Sequence, residues 1–112
     1  MRPTTTGRPK IAIVEANTLA ALGLKQLLQN VMPIMTVDIF GSFAELTANE
    51  PDIYMHYFVA MNIMLQERTF FQERQRKTIV LTLQLEDTAR LSEFHCLCIN
   101  QPEPQLVRQL LG

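Results

Sequence analysis

Ile11-Ala12-Ile13-Val14-Glu15-Ala16-Asn17 is the stretch whose reading decides the fold. Four apolar residues stop abruptly at an acid, and Asn17 or Thr18 then stands where a helix needs its cap. Leu24, Leu27, Leu28 and Val31 follow at helical spacing as one stripe, ended near Asn30 by Pro33. A short apolar strand that runs straight into an amphipathic helix is the first half of a parallel crossover unit.

Outward from that stretch the alternation repeats. Ile11–Val14, Met35–Phe40, Ile53–Val59, Thr78–Leu83 and Cys96–Ile99 read as strands. Gly41 breaks the second run, and Ser42-Phe43-Ala44-Glu45 reads as a capping box that opens a short helix toward Asn49, stopped by Pro51. Ile63–Arg76, polar with Leu65 and Phe70-Phe71 embedded, reads as an irregular helix, and Asp87–Phe94 as a fourth. In Pro102-Glu103-Pro104-Gln105 the second proline suits a first helical turn, and Leu106, Val107, Leu110 and Leu111 give its stripe.

Five such repeats predict an α/β, doubly wound (βα)5 domain: a five-stranded parallel sheet of order 2-1-3-4-5 with helices on both faces. Ile11–Val14, Ile53–Val59 and Thr78–Leu83 are nearly continuous apolar sequence, as strands buried on both faces should be. In that order the carboxyl ends of the first and third strands are neighbours. With the third strand at Ile53–Val59, Glu15-Ala16-Asn17 and His56-Tyr57 share the edge where such sheets keep their chemistry.

Composition bounds the rest. The chain has 112 residues, 47% of them hydrophobic, enough for a single core over residues 10–112 behind a flexible tail over residues 1–9. Ten Lys+Arg against eleven Asp+Glu leave a net charge of -1, which offers nucleic acid or anionic lipid no overall attraction. The charge is uneven: Arg2, Arg8 and Lys10 form a basic tail, and Arg68, Arg74, Arg76 and Lys77 stand against Glu67 and Glu73 on what reads as a solvated face. The apolar run behind the basic tail is too short for a secretory signal, and Tyr57–Leu65, interrupted by Asn62, is about half a membrane span. Cys96 and Cys98 lie on one face of a strand at about 7 Å, too far apart to bond, so a soluble protein of the reducing cytoplasm is expected.

Chemistry-bearing patterns are sparse. His95-Cys96-Leu97-Cys98 lacks the four converging ligands of structural zinc, and its cysteines read as small core hydrophobes. Gly7, Gly23, Gly41 and Gly112 match neither a dinucleotide fingerprint nor a P-loop, and no serine sits in a nucleophile elbow. No metal, cofactor, catalytic residue or small-molecule substrate is expected.

Ile11 to Asn17, followed by Leu22-Gly23-Leu24-Lys25-Gln26-Leu27-Leu28, resembles the opening of bacterial response-regulator receiver domains, most of all those attached to LuxR-type DNA-binding domains. The resemblance continues through Pro51-Asp52-Ile53-Tyr54-Met55-His56-Tyr57, Thr78-Ile79-Val80-Leu81-Thr82 and Asn100-Gln101-Pro102. It implies the flavodoxin-like fold and a phosphorylation pocket: an acidic pair for Mg²⁺, an aspartate acceptor ending the third strand, a hydroxyl ending the fourth and a lysine after the fifth. Carried over, the acidic pair becomes Glu15 and Ala16, the acceptor Tyr57, the hydroxyl Thr82, and the lysine Asn100 or Gln101.

One acid is a poor Mg²⁺ site, a phenol is a poor phosphoryl acceptor, and an amide does not neutralise phosphate. A one-residue shift would make His56 the acceptor, but only one of His56 and Tyr57 can face the pocket. The expectation is a structural histidine or tyrosine filling it, with phospho-histidine chemistry or a polar partner contact as the alternatives. The expectation is therefore a degenerate receiver that regulates or dimerises without phosphorylation, at the head of a transcription regulator whose output domain begins beyond Gly112. DNA would be reached only through that output domain. Receivers commonly pair through their helices, which makes Leu106, Arg108 and Gln109 the candidate surface, while Thr82 and Arg68–Lys77 are candidate switching handles. The alternatives are a stand-alone adaptor for a kinase or regulator, and a small enzyme on a flavodoxin-like scaffold.

Overall fold

A computed structural model describes residues 9–48 and 50–111. The expected flexible tail over residues 1–9 lies, apart from Pro9, outside the described residues, as do Asn49 and Gly112, while Lys10 opens the first strand. Strands β1 (Lys10–Val14), β2 (Thr36–Phe40), β3 (His56–Ala60), β4 (Thr78–Thr82) and β5 (His95–Cys98) form one parallel sheet of order β2-β1-β3-β4-β5. The doubly wound expectation holds, and the three most apolar runs are its interior strands.

Period-2 alternation divides each interior strand between two cores. Ala12, Val14, Tyr57, Val59 and Val80 face one side, with Leu46, Ile63, Met64, Phe71, Leu91 and Phe94 packed on them. Ile11, Ile13, Phe58, Leu81 and Leu97 face the other. That second side is covered by helix α1 (Thr18–Val31), through Ala21, Leu24 and Leu28, and by α6 (Glu103–Leu111), through Leu106 and Leu110. Each fully buried large side chain contributes about 1.5–3 kcal/mol relative to exposure, so the two layers together carry the stability of the sheet.

Local signals hold at two helix starts. Asn17 caps α1, its Oδ1 accepting from Ala20 N at 3.0 Å. Ser42 caps α2 (Phe43–Thr47): its Oγ accepts from Glu45 N at 3.2 Å, while the Glu45 carboxylate accepts from Gly41 N at 3.1 Å.

Elsewhere the boundaries differ from expectation. The single helix over Ile63–Arg76 is two, α3 (Met61–Gln66) and α4 (Arg68–Gln72), parted at Glu67, whose φ of -118° and ψ of 43° are not helical. A 3₁₀ turn, Gln75–Lys77, leads into β4. The helix expected over Asp87–Phe94 is α5 (Leu85–Arg90), ending where Leu91 and Phe94 turn into the core. The last strand begins one residue early, at His95.

Candidate functional site: the carboxyl edge of the sheet

The largest correction concerns His56 and Tyr57. They open β3 instead of closing it. Pro51–Ile53 forms a 3₁₀ turn, and the ladder starts only at His56, paired with Ile11, running on to Val59 opposite Val14. Tyr57 pairs with Ala12 and Thr78, in the amino half of the sheet. Nothing in the apolar run Ile53–Ile63 punctuates the strand, because Ala60 passes directly into α3 without glycine or proline. The residues that reach the edge beside Glu15-Ala16 are thus Ala60 and Met61. Ala60 is registered with Leu81, so Met61 follows it as Thr82 follows Leu81.

Tyr57 is fully buried among Tyr54, Phe70 and Phe71, whose ring centroids lie 6.0–6.3 Å from its own. Its hydroxyl donates to the Pro51 carbonyl, and Lys77 Nζ stands 5.1 Å from its ring centroid while donating to the Tyr54 carbonyl at 2.9 Å. Burial pushes the Tyr57 phenol up, as does the nearby Asp52 charge. It is a core tyrosine, remote from the edge it was expected to occupy. His56 is half-buried on the opposite face of β3, with Phe58.

The other expected residues do gather at the carboxyl edge. Glu15 follows β1, its Oε2 accepting from Asn17 N at 2.9 Å, and its own N–H donates to the Phe40 carbonyl at 3.0 Å. The carboxylate is thereby tied to the first turn of α1. Ala16 is exposed, and Met61 is half-buried against the core. Thr82 closes β4, fully buried, with its Oγ1 3.0 Å from that of Thr88 in α5. Asn100 Nδ2 donates to the Leu83 carbonyl at 3.0 Å, and Gln101 Nε2 donates to the Cys98 carbonyl at 2.7 Å and to Gln109 Oε1 at 3.1 Å. These side chains hold loops together. Among the described residues no three of His, Cys, Asp and Glu converge on a point where a metal could sit.

Residues 67–77, read as a solvated basic face, are more structural than that. Arg68 pairs with Glu93. Arg74 donates from Nε to Asp52 at 2.9 Å and lies 3.7 Å from the Phe70 ring centroid. Sequence reasoning missed these ties because Asp52 and Glu93 lie some twenty residues away in each direction. Of the proposed pairing surface, Leu106 packs half-buried against the core, while Arg108 and Gln109 are exposed. Among the described helices none is long and apolar enough to cross a membrane.

The sequence matches no protein-family model and no curated protein. Solved structures do match over nearly the whole chain. The non-phosphorylated HemR receiver domain from Leptospira biflexa superposes with a TM-score of 0.70 at 13% identity, over 93% of this chain and 92% of that one. A sensor protein from Polaromonas sp. JS666 gives 0.69 at 18% identity, over 93% and 94%. A response regulator receiver protein from Pseudoalteromonas atlantica gives 0.68 at 17% identity, over 92% and 94%. At these identities the likeness is one of fold: the chain has the architecture of response-regulator receiver domains.

Proposed function

We propose that the chain is a receiver-type regulatory domain that works without aspartyl phosphorylation, as an interaction or dimerisation module of a transcription regulator. The observation that carries this reading is the make-up of the carboxyl edge. Where β1 and β3 end, only Glu15 is acidic, and Ala16, Ala60 and Met61 stand where a Mg²⁺ site would want oxygen. The end of β3, Ala60 and Met61, offers no carboxylate to serve as the nucleophile for an acyl phosphate. Thr82 and Asn100 are spent on neighbouring protein groups. Regulation then comes from a partner that binds one conformation better than another.

The test is incubation with Mg²⁺ and ³²P-labelled acetyl phosphate, followed by thermal unfolding with Mg²⁺ and beryllofluoride. No incorporation and an unchanged melting temperature are expected. Acid-stable or acid-labile label on the chain, or a clear rise in melting temperature, refutes the reading, since a ligand selective for the folded state must stabilise it.

A further inference from the structure

At the other end of the sheet, away from the edge just described, the structure holds a cavity of about 370 Å³ beneath the last turns of α6. Its floor is the amino ends of three strands: Phe58 of β3 is registered with Ile79 of β4, and Ile79 with His95 of β5. His56, two residues before Phe58, lies on the same face of β3. Leu110 and Gln109 form the roof. Both histidines of the chain therefore line one cavity, together with Arg76 from the 3₁₀ turn before β4.

Three features set these polar groups apart from ordinary surface. His56 Nδ1 is buried and has no hydrogen-bond partner among the described residues, an exception that asks for an explanation. Arg76 makes no hydrogen bond or ion pair among the described residues, whereas its neighbours Arg68, Arg74 and Lys77 are all engaged. Gln109 has its side-chain oxygen occupied by Gln101, which leaves its amide N–H groups to donate. No carboxylate lines the cavity, and Glu93, in the turn before β5, is already held by Arg68 and Gln72. Arg76, His56, His95 and Gln109 thus line, with no carboxylate among them, a pocket whose body is Phe58, Ile79 and Leu110.

The geometry points to a binding site for a small carboxylate with an apolar body, an aromatic or branched aliphatic acid. Its charge lies toward Arg76 and the two histidines, and its body against Phe58, Ile79 and Leu110. The volume, equal to roughly twelve waters at about 30 Å³ each, admits a molecule the size of benzoate. Arg suits the task because its planar fork matches a carboxylate. This site is independent of the phosphorylation reading, which concerns the opposite edge.

The test is an NMR titration of the labelled chain with benzoate and, as its uncharged isostere, benzamide. Saturable shifts at His56, Arg76, His95 and Gln109 are expected, with benzoate at least about fivefold tighter. Arg76→Gln and His95→Gln, both at exposed positions, should each weaken benzoate binding about tenfold, the loss of one charge-assisted contact, without moving the unfolding midpoint. Four results overturn the proposal: no saturable shift up to about 20 mM, equal affinity for the two probes, shifts confined to residues outside this cavity, or unchanged affinity in Arg76→Gln.

Discussion

The phenolic hydroxyl of Tyr57 donates to the main-chain carbonyl of Pro51, six residues earlier, tying the second residue of β3 to the turn that precedes the strand. Tyr57→Phe removes that hydrogen bond and keeps the ring, so a loss of about 1 kcal/mol is expected. Tyr57→Ala opens a cavity among Tyr54, Phe70 and Phe71 and should cost about 3–5 kcal/mol. Urea unfolding monitored by circular dichroism separates the two. Equal costs would contradict the aromatic packing described above.

The strand register makes a sharper prediction about the carboxyl edge. Ala16→Asp combined with Met61→Asp should gather three carboxylates with Glu15 and create a Mg²⁺ response. At a tenfold excess of Mg²⁺ over Kd the gain is about 1.4 kcal/mol, or about 5 °C in melting temperature. Tyr57→Asp should give no response and should destabilise by about 3 kcal/mol or more, because it buries an unpaired carboxylate. Differential scanning fluorimetry with and without MgCl₂ decides between them.

Acid and alkali act on different pairs. The hydrogen bond from Arg74 holds the Asp52 carboxyl below its ordinary 3.8, and Gln72 first and Arg68 second hold Glu93 below its ordinary 4.5. Depressed carboxyls stabilise the fold fully above those ordinary values, and the contribution is lost as pH falls through the lower, folded ones. Tyr54, pushed up by burial and then by its 2.8 Å hydrogen bond to Asp38, works in reverse. Its contribution is complete below the ordinary value of 10.0 and is lost as pH rises above it. Urea midpoints should therefore form a plateau between about pH 5 and pH 9. Asp52→Asn should shallow the acid limb, and Tyr54→Phe the alkaline one.

Self-association, if α6 provides it, involves Arg108 and Leu111, both exposed, more than Leu106, which is turned into the core. Sedimentation velocity should show a dimer whose population grows with concentration and falls in Arg108→Glu. A monomer at every concentration would remove the pairing proposal for this chain.

Periodicity alone sufficed for much of the fold. Strands β1 and β4, the four crossovers and the caps at Asn17 and Ser42 were legible because each rests on residues close together in the chain: an apolar run, a stripe at helical spacing, a hydroxyl three residues before a glutamate. Ala16, Thr82, Asn100 and Gln101 were assigned to that edge by the resemblance to receiver domains, and they follow or close β1, β4 and β5 there, with Glu15.

Only the tertiary structure decided where β3 begins. No glycine or proline interrupts the sequence from Ile53 into α3, so no local signal distinguishes a strand closing at Val59 from one opening at His56. The ladder with β1 makes the choice, because a parallel register satisfies backbone groups only in one alignment with the buried face. That choice moves Tyr57 into the core, puts Met61 at the carboxyl edge, and sends His56 to share a cavity with a histidine thirty-nine residues away. Long-range contacts of this kind, like Arg74 with Asp52 and Arg68 with Glu93, exist only after the sheet has assembled.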